Sequence, residues 1–377
     1  MRYKYPDYYK EFACTANLCE ATCCAGWEIV IDDESIDKYL TVDSAFGNRL
    51  CKSIDFQEGV FYQNNDKRCA FLNDKNLCDI YKELGEEYLC YTCTRYPRHI
   101  EEFEELNEVS LSISCPEVCK IILEKREITG FYEEELEEDT EEFEDFDFLF
   151  YELLVEVRNE VFEILQNRKL HMKIRMYWAT LLTKEVQEQV DQFHVFGIPD
   201  ILDKYRSVTN LEIEQQYHRE VTGSNRYQIM QMCLQDLYQL EVLDEAFRPY
   251  VLHAEEVLYQ SGVQEYNRLQ ERFEQEVDLQ TEIEQILVYF IYSYYCGSIY
   301  DGETFLKYQF SFIIVHIIKE LWFAKWIEQE SMLTIEDRIR IVYRFAREIE
   351  HSDFNLDLLE EIYSSERYQV ETMLSIV

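Results

Sequence analysis

Glycine and proline are scarce in this chain, with ten and five among 377 residues. Sandwiches and barrels need many turns built from both residue types, so the scarcity argues against them and favours helices. No two glycines stand as GxG, so the glycine-rich strand–turn–helix of the common nucleotide-binding folds is missing. Basic residues are also few: 36 Lys and Arg against 76 Asp and Glu, for a net charge of −40. Phosphate binding needs clustered cations, so nucleic acid is not expected as a partner. A basic partner remains open, and otherwise the charge serves solubility. Long apolar runs are absent. "MRYKYPDYYKEFACT" has no stretch of the signal-peptide type. The most apolar run, "FSFIIVHIIKELWF" (310–323), contains Ser311, His316, Lys319 and Glu320, far short of the roughly 20 apolar residues of a membrane span. The expectation is a cytoplasmic protein with no membrane partner and reduced thiols.

What the chain does have is unevenly placed. Eleven of its thirteen cysteines lie between Cys14 and Cys119; only Cys233 and Cys296 lie beyond. A single core rarely outgrows about 250–300 residues. The predicted organisation is therefore a cysteine-rich metal-binding domain over 1–130, an acidic linker over 131–147 and an all-helical domain over 148–377, mainly α in class. The segment "EEELEEDTEEFEDFD" (133–147) carries eleven acids in fifteen positions and reads as a solvated joint or a docking strip for a basic partner. "YELLVEVRNEVFEILQ" sets Leu153, Leu154, Val157, Val161, Ile164 and Leu165 on one side at helical spacing. In "TIEDRIRIVYRFAREIE", Thr334 and Asp337 occupy capping-box positions, ahead of a stripe of Ile335, Ile339, Val342, Ala346 and Ile349. "EIEQILVYFIYSYYC" (282–296) is apolar almost all round and is predicted as a buried central helix. In the front region, 32–40 and 78–93 suggest short helices and "EVSLSIS" (108–114) suggests a strand.

The front cysteines are spaced Cys14-x4-Cys19-x3-Cys23-Cys24, Cys69-x8-Cys78-x11-Cys90-x2-Cys93 and Cys115-x3-Cys119, with Cys51 apart. Disulfides conflict with a reducing compartment. A dithiol redox site could use "CYTC" (90–93), but the βαβ context is lacking. Thiolates that bind zinc in fours or hold iron–sulfur clusters fit the crowding better. Eight or more cysteines exceed what one tetrahedral zinc needs, so a multi-iron cluster or two sites is expected. Cys69 and Cys78 bracket the polar turn "NDKN". Arg95 and Arg98 in "TRYPR" would favour thiolates at Cys93, or would simply pair with the acids of "EEFEE" (101–105).

"FACTANLCEATCCAGWEI", "CAFLNDKNLCDIYKELGEEYLCYTCTRYPR" and "EVSLSISCPEVC" together resemble the front of the flagellin lysine-N-methylase family, within a wider group of zinc- or iron-chelating cysteine-cluster domains. "LVYFIYSYYCGSIYDG" and "REIEHSDFN" (347–355) are similar to that family's C-terminal blocks. The resemblance implies methyl transfer from S-adenosylmethionine to lysines of flagellin or another protein substrate. It also implies a bound metal, an iron–sulfur cluster with zinc as the alternative. The cysteines matching the pattern are Cys14, Cys19, Cys23, Cys24, Cys69, Cys78, Cys93 and Cys115; Cys51, Cys90 and Cys119 match less clearly.

Methyl transfer needs a neutral amine, although free lysine titrates near 10.4, so a site must desolvate the ammonium or take its proton. Aromatic faces attract both the ammonium and the sulfonium donor. Tyr289, Tyr292, Tyr295 and Cys296 are candidates for such a wall, with Tyr289 and Tyr292 for the cofactor; ordinary core packing is the alternative. In "REIEHSDFN", Glu350, His351 and Asp353 are candidate catalytic groups and Arg347 a cofactor contact. A helix end capped by Ser, Asp and Asn is the alternative there. Neither familiar mode of donor binding is present: there is no GxG, and Cys19-x3-Cys23-Cys24 breaks the Cys-x3-Cys-x2-Cys spacing of radical enzymes. A non-catalytic metal-cluster module for protein interaction or redox sensing is the competing function.

Overall fold

The computed structural model describes residues 1–136 and 146–377. With 62% of residues helical, the fold is mainly α as expected. The front holds α1 (Asp33–Leu40), α2 (Ala45–Lys52), α3 (Asp79–Leu84), α4 (Tyr91–Arg95) and α5 (Pro116–Glu124). Then follow α6 (Phe148–Leu165), α7 (Met172–Asp191), α8 (Ile198–Ser207), α9 (Asn210–Glu220), α10 (Arg226–Asp236) and α11 (Phe247–Tyr259). The chain closes with α12 (Gly262–Glu276), α13 (Gln280–Tyr294), α14 (Thr304–Glu328), α15 (Ile335–Glu350), α16 (Asp353–Tyr363) and α17 (Val370–Leu374).

The helical signals hold. Leu153, Leu154, Val157, Val161 and Leu165 of α6 are buried, with Ile164 half-buried beside them. Every residue from Glu282 to Tyr292 in α13 is buried. The Thr334 hydroxyl accepts from the Asp337 N–H, and the Asp337 carboxylate accepts from the Thr334 N–H, so the capping box of α15 is complete. Val342, Ala346 and Ile349 lie in the core, and Ile335 and Ile339 pack at its edge.

The strands go beyond the sequence expectation. β1 (Arg2–Pro6), β4 (Arg98–Phe103), β5 (Leu106–Leu111) and β6 (Phe131–Glu135) form a mixed sheet in the order β4-β5-β1-β6. β1 runs parallel to β5 and antiparallel to β6. β2 (Ile54–Asp55) and β3 (Val60–Phe61) form a separate ladder. The expected strand at 108–114 is β5, set slightly earlier. The segment predicted as an acidic linker opens instead as β6, because Phe131 stacks on Phe162 and Tyr292 at 4.9 and 4.6 Å and anchors the strand; its positions 137–145 lie outside the described residues.

Apolar packing divides the chain differently from the boundary at 130. Ile29, Ile31, Tyr39, Leu50, Ile54, Phe61, Phe71 and Ile80 form a small core of their own, with Cys69 and Cys90. The sheet and α5 share the large helical core through Leu106, Leu111, Ile113, Val118 and Ile122. A buried ion pair joins the sheet to α6: the Arg158 guanidinium donates through two nitrogens to the two Glu108 oxygens. It also donates to Tyr292 O at 3.2 Å. Leaving one member of such a pair buried alone costs about 3–5 kcal/mol, whereas replacing both by apolar groups is often neutral. Glu108→Ala should lower the urea-unfolding free energy by about that amount, and Glu108→Leu with Arg158→Met should restore most of it. Equal losses in both variants would contradict this role.

Candidate functional site

The C-terminal turn of α15 meets the cysteine-rich front. Arg347 Nε donates to Ser114 O at 3.1 Å, and its guanidinium also donates to Ala21 O, inside "CEATCC". Glu350 is half-buried against the 112–114 loop. It accepts from Ser112 Oγ at 2.6 Å, Tyr289 OH at 2.5 Å and Ser114 N at 3.3 Å. Tyr289 OH in turn accepts from Ile113 N at 3.0 Å. Ser112 and Ser114 hydroxyls bond to each other, and Ser114 Oγ meets His351 Nε2 at 2.9 Å. One unbroken chain therefore runs Glu350–Ser112–Ser114–His351, with Tyr96 OH joining at Ser114 at 3.1 Å. The His351 ring packs on Trp27 at 4.6 Å and edge-on to Tyr96 at 5.6 Å.

Burial pushes the Glu350 carboxyl above its ordinary value, against the pull of its Ser112, Tyr289 and Ser114 donors. Burial, with Arg347 beside it, takes His351 down to about 3. His351 is therefore a neutral member of the chain, facing Ser114 and two aromatic rings. Ser352, rather than Asp353, caps α16 by accepting from Asn355 N; Asp353 is exposed in the first turn. Tyr292 also leaves the site: its hydroxyl donates to Lys4 O at 2.7 Å, because β1 crosses that face of α13. Tyr295 and Cys296 are core residues. The proposed wall of three tyrosines thus reduces to Tyr289.

Cys14, Cys19, Cys23, Cys24, Cys78, Cys93 and Cys115 line one chamber of about 540 Å³, with Trp27, Tyr96, Arg98 and Arg347. Cys69 is buried behind it, with its N–H donating to Cys24 O at 2.9 Å. The "NDKN" turn makes this possible: the Asn73 carboxamide accepts from Lys75 N and Leu77 N, and Asn76 takes a left-handed φ of 55° that Asn tolerates. Cys14, Cys19 and Cys115 influence one another electrostatically, as do Cys24, Cys69, Cys78, Cys90 and Cys93, and Cys23 is tied to both groups through Cys24, Cys14 and Cys115. The Cys23 thiol, hydrogen-bonded to Cys24, is held protonated, and that hydrogen bond lowers the Cys24 thiol, with Thr22 and Arg68 assisting. Burial pushes Cys69 up to about 12 and raises Cys78 and Cys115. Among the described residues, no group of three or more His, Cys, Asp or Glu side chains is placed to hold a metal ion. Arg95 and Arg98 stack on Tyr91 and Phe12. Cys119 is fully buried, donating to Ile339 O, and Cys51 lies off the chamber.

A charged cleft of about 810 Å³ adjoins the chamber, sharing Ala21, Thr22 and Arg347 with it. Glu20, Lys67, Arg68, Asp244, Arg340 and Arg344 line it. Arg340 pairs with Glu20 at 2.9 Å and Arg344 with Asp244 at 3.0 Å.

Residues 158–376 match the FliB lysine N-methylase C-terminal domain. The chain belongs to the FliB lysine N-methylase family. It is 28% identical over 130 residues to the flagellar biosynthetic protein FliU of Salmonella muenchen, covering 31% of this chain and 75% of that protein. The lysine-N-methylases of Salmonella typhimurium and Salmonella choleraesuis align at the same identity over 130 residues, covering 31% of this chain and 31% of each of theirs. No solved structure matches. The matched FliB domain contributes Tyr289, Arg347, Glu350 and His351. The front contributes the thiols, Trp27, Tyr96, Ser112 and Ser114, and sequence reasoning missed the last four. Their signal was local: each sits in a segment quoted above for its cysteines, but none of these residue types marks a site alone. Among the described residues, no helix is long and apolar enough to cross a membrane.

The folded Glu350 carboxyl keeps its proton to a higher pH than the unfolded one. The folded protein therefore binds more protons above the ordinary carboxylate range, and stability falls there as pH rises. Wild-type stability should decline relative to Glu350→Gln as pH is raised through that range, read from paired urea midpoints. A difference independent of pH would contradict the burial of this carboxyl.

Proposed function

We propose that this protein transfers methyl groups from S-adenosylmethionine to lysine side chains of a flagellar protein, with flagellin as the first candidate. The observation that carries this is the meeting of Arg347, Glu350 and His351, from the FliB domain, with the cysteine chamber. The thiols suit a metal in number and type. Cys14, Cys19, Cys23 and Cys115 would hold one set, and Cys24, Cys69, Cys78 and Cys93 the other; four cysteines are what zinc or an iron–sulfur cluster takes. Burial that opposes thiolate formation is offset when a metal binds the thiolate. An iron–sulfur cluster is our first choice and zinc the second, and the bound group would supply structural closure and, if iron–sulfur, electron storage.

The chain's own residues account for the transfer. Trp27 and Tyr96 offer aromatic faces to the sulfonium. Arg347 uses Nε and one terminal nitrogen on the backbone, which leaves the other for the donor's carboxylate. The lysine proton passes through the Ser114 and Ser112 hydroxyls to Glu350, whose burial makes it a stronger acceptor than an exposed carboxylate. The lysine nitrogen then forms its bond to the methyl carbon, and the carbon–sulfur bond breaks with its electron pair remaining on sulfur. The charged cleft beside the chamber is the approach for the protein substrate.

Metal-loaded protein incubated with labelled S-adenosylmethionine and flagellin should label lysines. Arg347→Met should reduce the rate by about tenfold or more, since misplacing a reactant is costly. A folded, metal-loaded protein that neither labels flagellin nor gives calorimetric heat with S-adenosylmethionine would overturn the proposal and favour the non-catalytic module.

A further inference from the structure

A third cavity, of about 180 Å³, lies within the helical region between the start of α7, the α12–α13 connection and α14. It is smaller than the roughly 300 Å³ at which pockets for drug-sized ligands begin. Lys173, Lys319 and His316 line it, beside Gln275, Gln280 and His171, whose Nδ1 accepts from Lys173 N at 3.3 Å. Lys173 Nζ and Lys319 Nζ bond to opposite oxygens of Glu274, at 2.8 and 2.6 Å. One carboxylate therefore serves two ammonium groups. Behind them, Arg226 is matched by Glu320 at 2.7 Å, so it does not cancel the excess. The remaining carboxylate of the lining, Asp278, is exposed and accepts from Gln280.

His316 supplies the second observation. Only 5% of it is exposed. Arg226 can only donate, so its 3.1 Å contact with Nδ1 makes that nitrogen the acceptor and places the ring proton on Nε2. Burial first, then Arg226 and the two lysines, keeps the ring neutral. Its Nε2 is buried and has no partner among the described residues. A buried donor without a partner is costly, and a negatively charged acceptor beside two ammonium groups would relieve both imbalances. Burial, with Arg226, also takes Lys319 down to about 8, as expected where positive charge is undercompensated.

We infer that this cavity is a binding site for a small oxyanion, a carboxylate or a phosphate, held by Lys173, Lys319 and the Nε2–H of His316. The inference is independent of the methyl-transfer proposal, since none of these residues belongs to the cysteine chamber.

The full chain should be titrated with sodium phosphate and, separately, with sodium acetate, using chloride to hold ionic strength constant. Heat is read by calorimetry, and the exposure of Lys319 to reductive methylation is read by mass spectrometry. One saturable event that protects Lys319 is expected with at least one of the two salts, and the tighter salt identifies the anion class. Lys173 is partly exposed, so Lys173→Met should fold; it should weaken binding about tenfold, the usual loss for one charge-assisted bond. Lys204→Met, at a surface pair with Glu185, should leave binding unchanged. Absence of saturation with both salts, or equal binding by the two variants, would overturn the assignment.

Discussion

Arg347 is the side chain on which the arrangement of the site depends. Its guanidinium holds Ser114 O and Ala21 O together, two carbonyls from segments almost a hundred residues apart. Those bonds seat the cysteine-bearing loop and the turn before α5 on the last turn of α15. Glu350 and His351 then fall on opposite ends of a short hydroxyl chain. The interaction is charge-assisted, half-buried and directional, which is the class of hydrogen bond worth most in positioning.

Electrostatics inside this molecule contrasts with its surface. The net charge of −40 is spread over exposed Asp and Glu, yet cations are drawn inward. Arg158 pairs with Glu108, Arg175 with Glu284 and Arg226 with Glu320, each essentially buried. Such pairs stabilise little compared with apolar replacements but strongly penalise wrong pairings. In a protein short of cations, they fix how α6, α7, α10, α13 and α14 register against one another and against the sheet.

The helices were legible because their signals are local. The capping box at Thr334 and the apolar stripe of α15 need only sixteen residues of sequence, and α13 announces its burial by being apolar all round. The sheet was not legible, because its pairings are remote: Arg2 lies opposite Leu106 and also opposite Glu135. β6, "FYEEE", is acidic and reads as solvated until Phe131 is seen stacked on Tyr292. The site was half legible. Glu350, Arg347 and Tyr289 do come together, but nothing in the run of tyrosines shows that β1 takes the Tyr292 hydroxyl. Asp353 misled for a related reason: adjacency to His351 along the chain is lost when Ser352 starts a new helix.

The thiols show how far spacing carries. Crowding located the chamber, but spacing alone does not say how the thiols are shared between two metals, and Cys23 and Cys24, hydrogen-bonded to each other, sit where the two proposed sets would meet. In the proposed arrangement two four-thiol sets meet at this one dipeptide. Metal analysis of anaerobically prepared wild type, Cys115→Ala and Cys78→Ala tests it most directly. Each variant should lose one metal complement and keep the other. Loss of all metal in both variants, or of none in either, would contradict it.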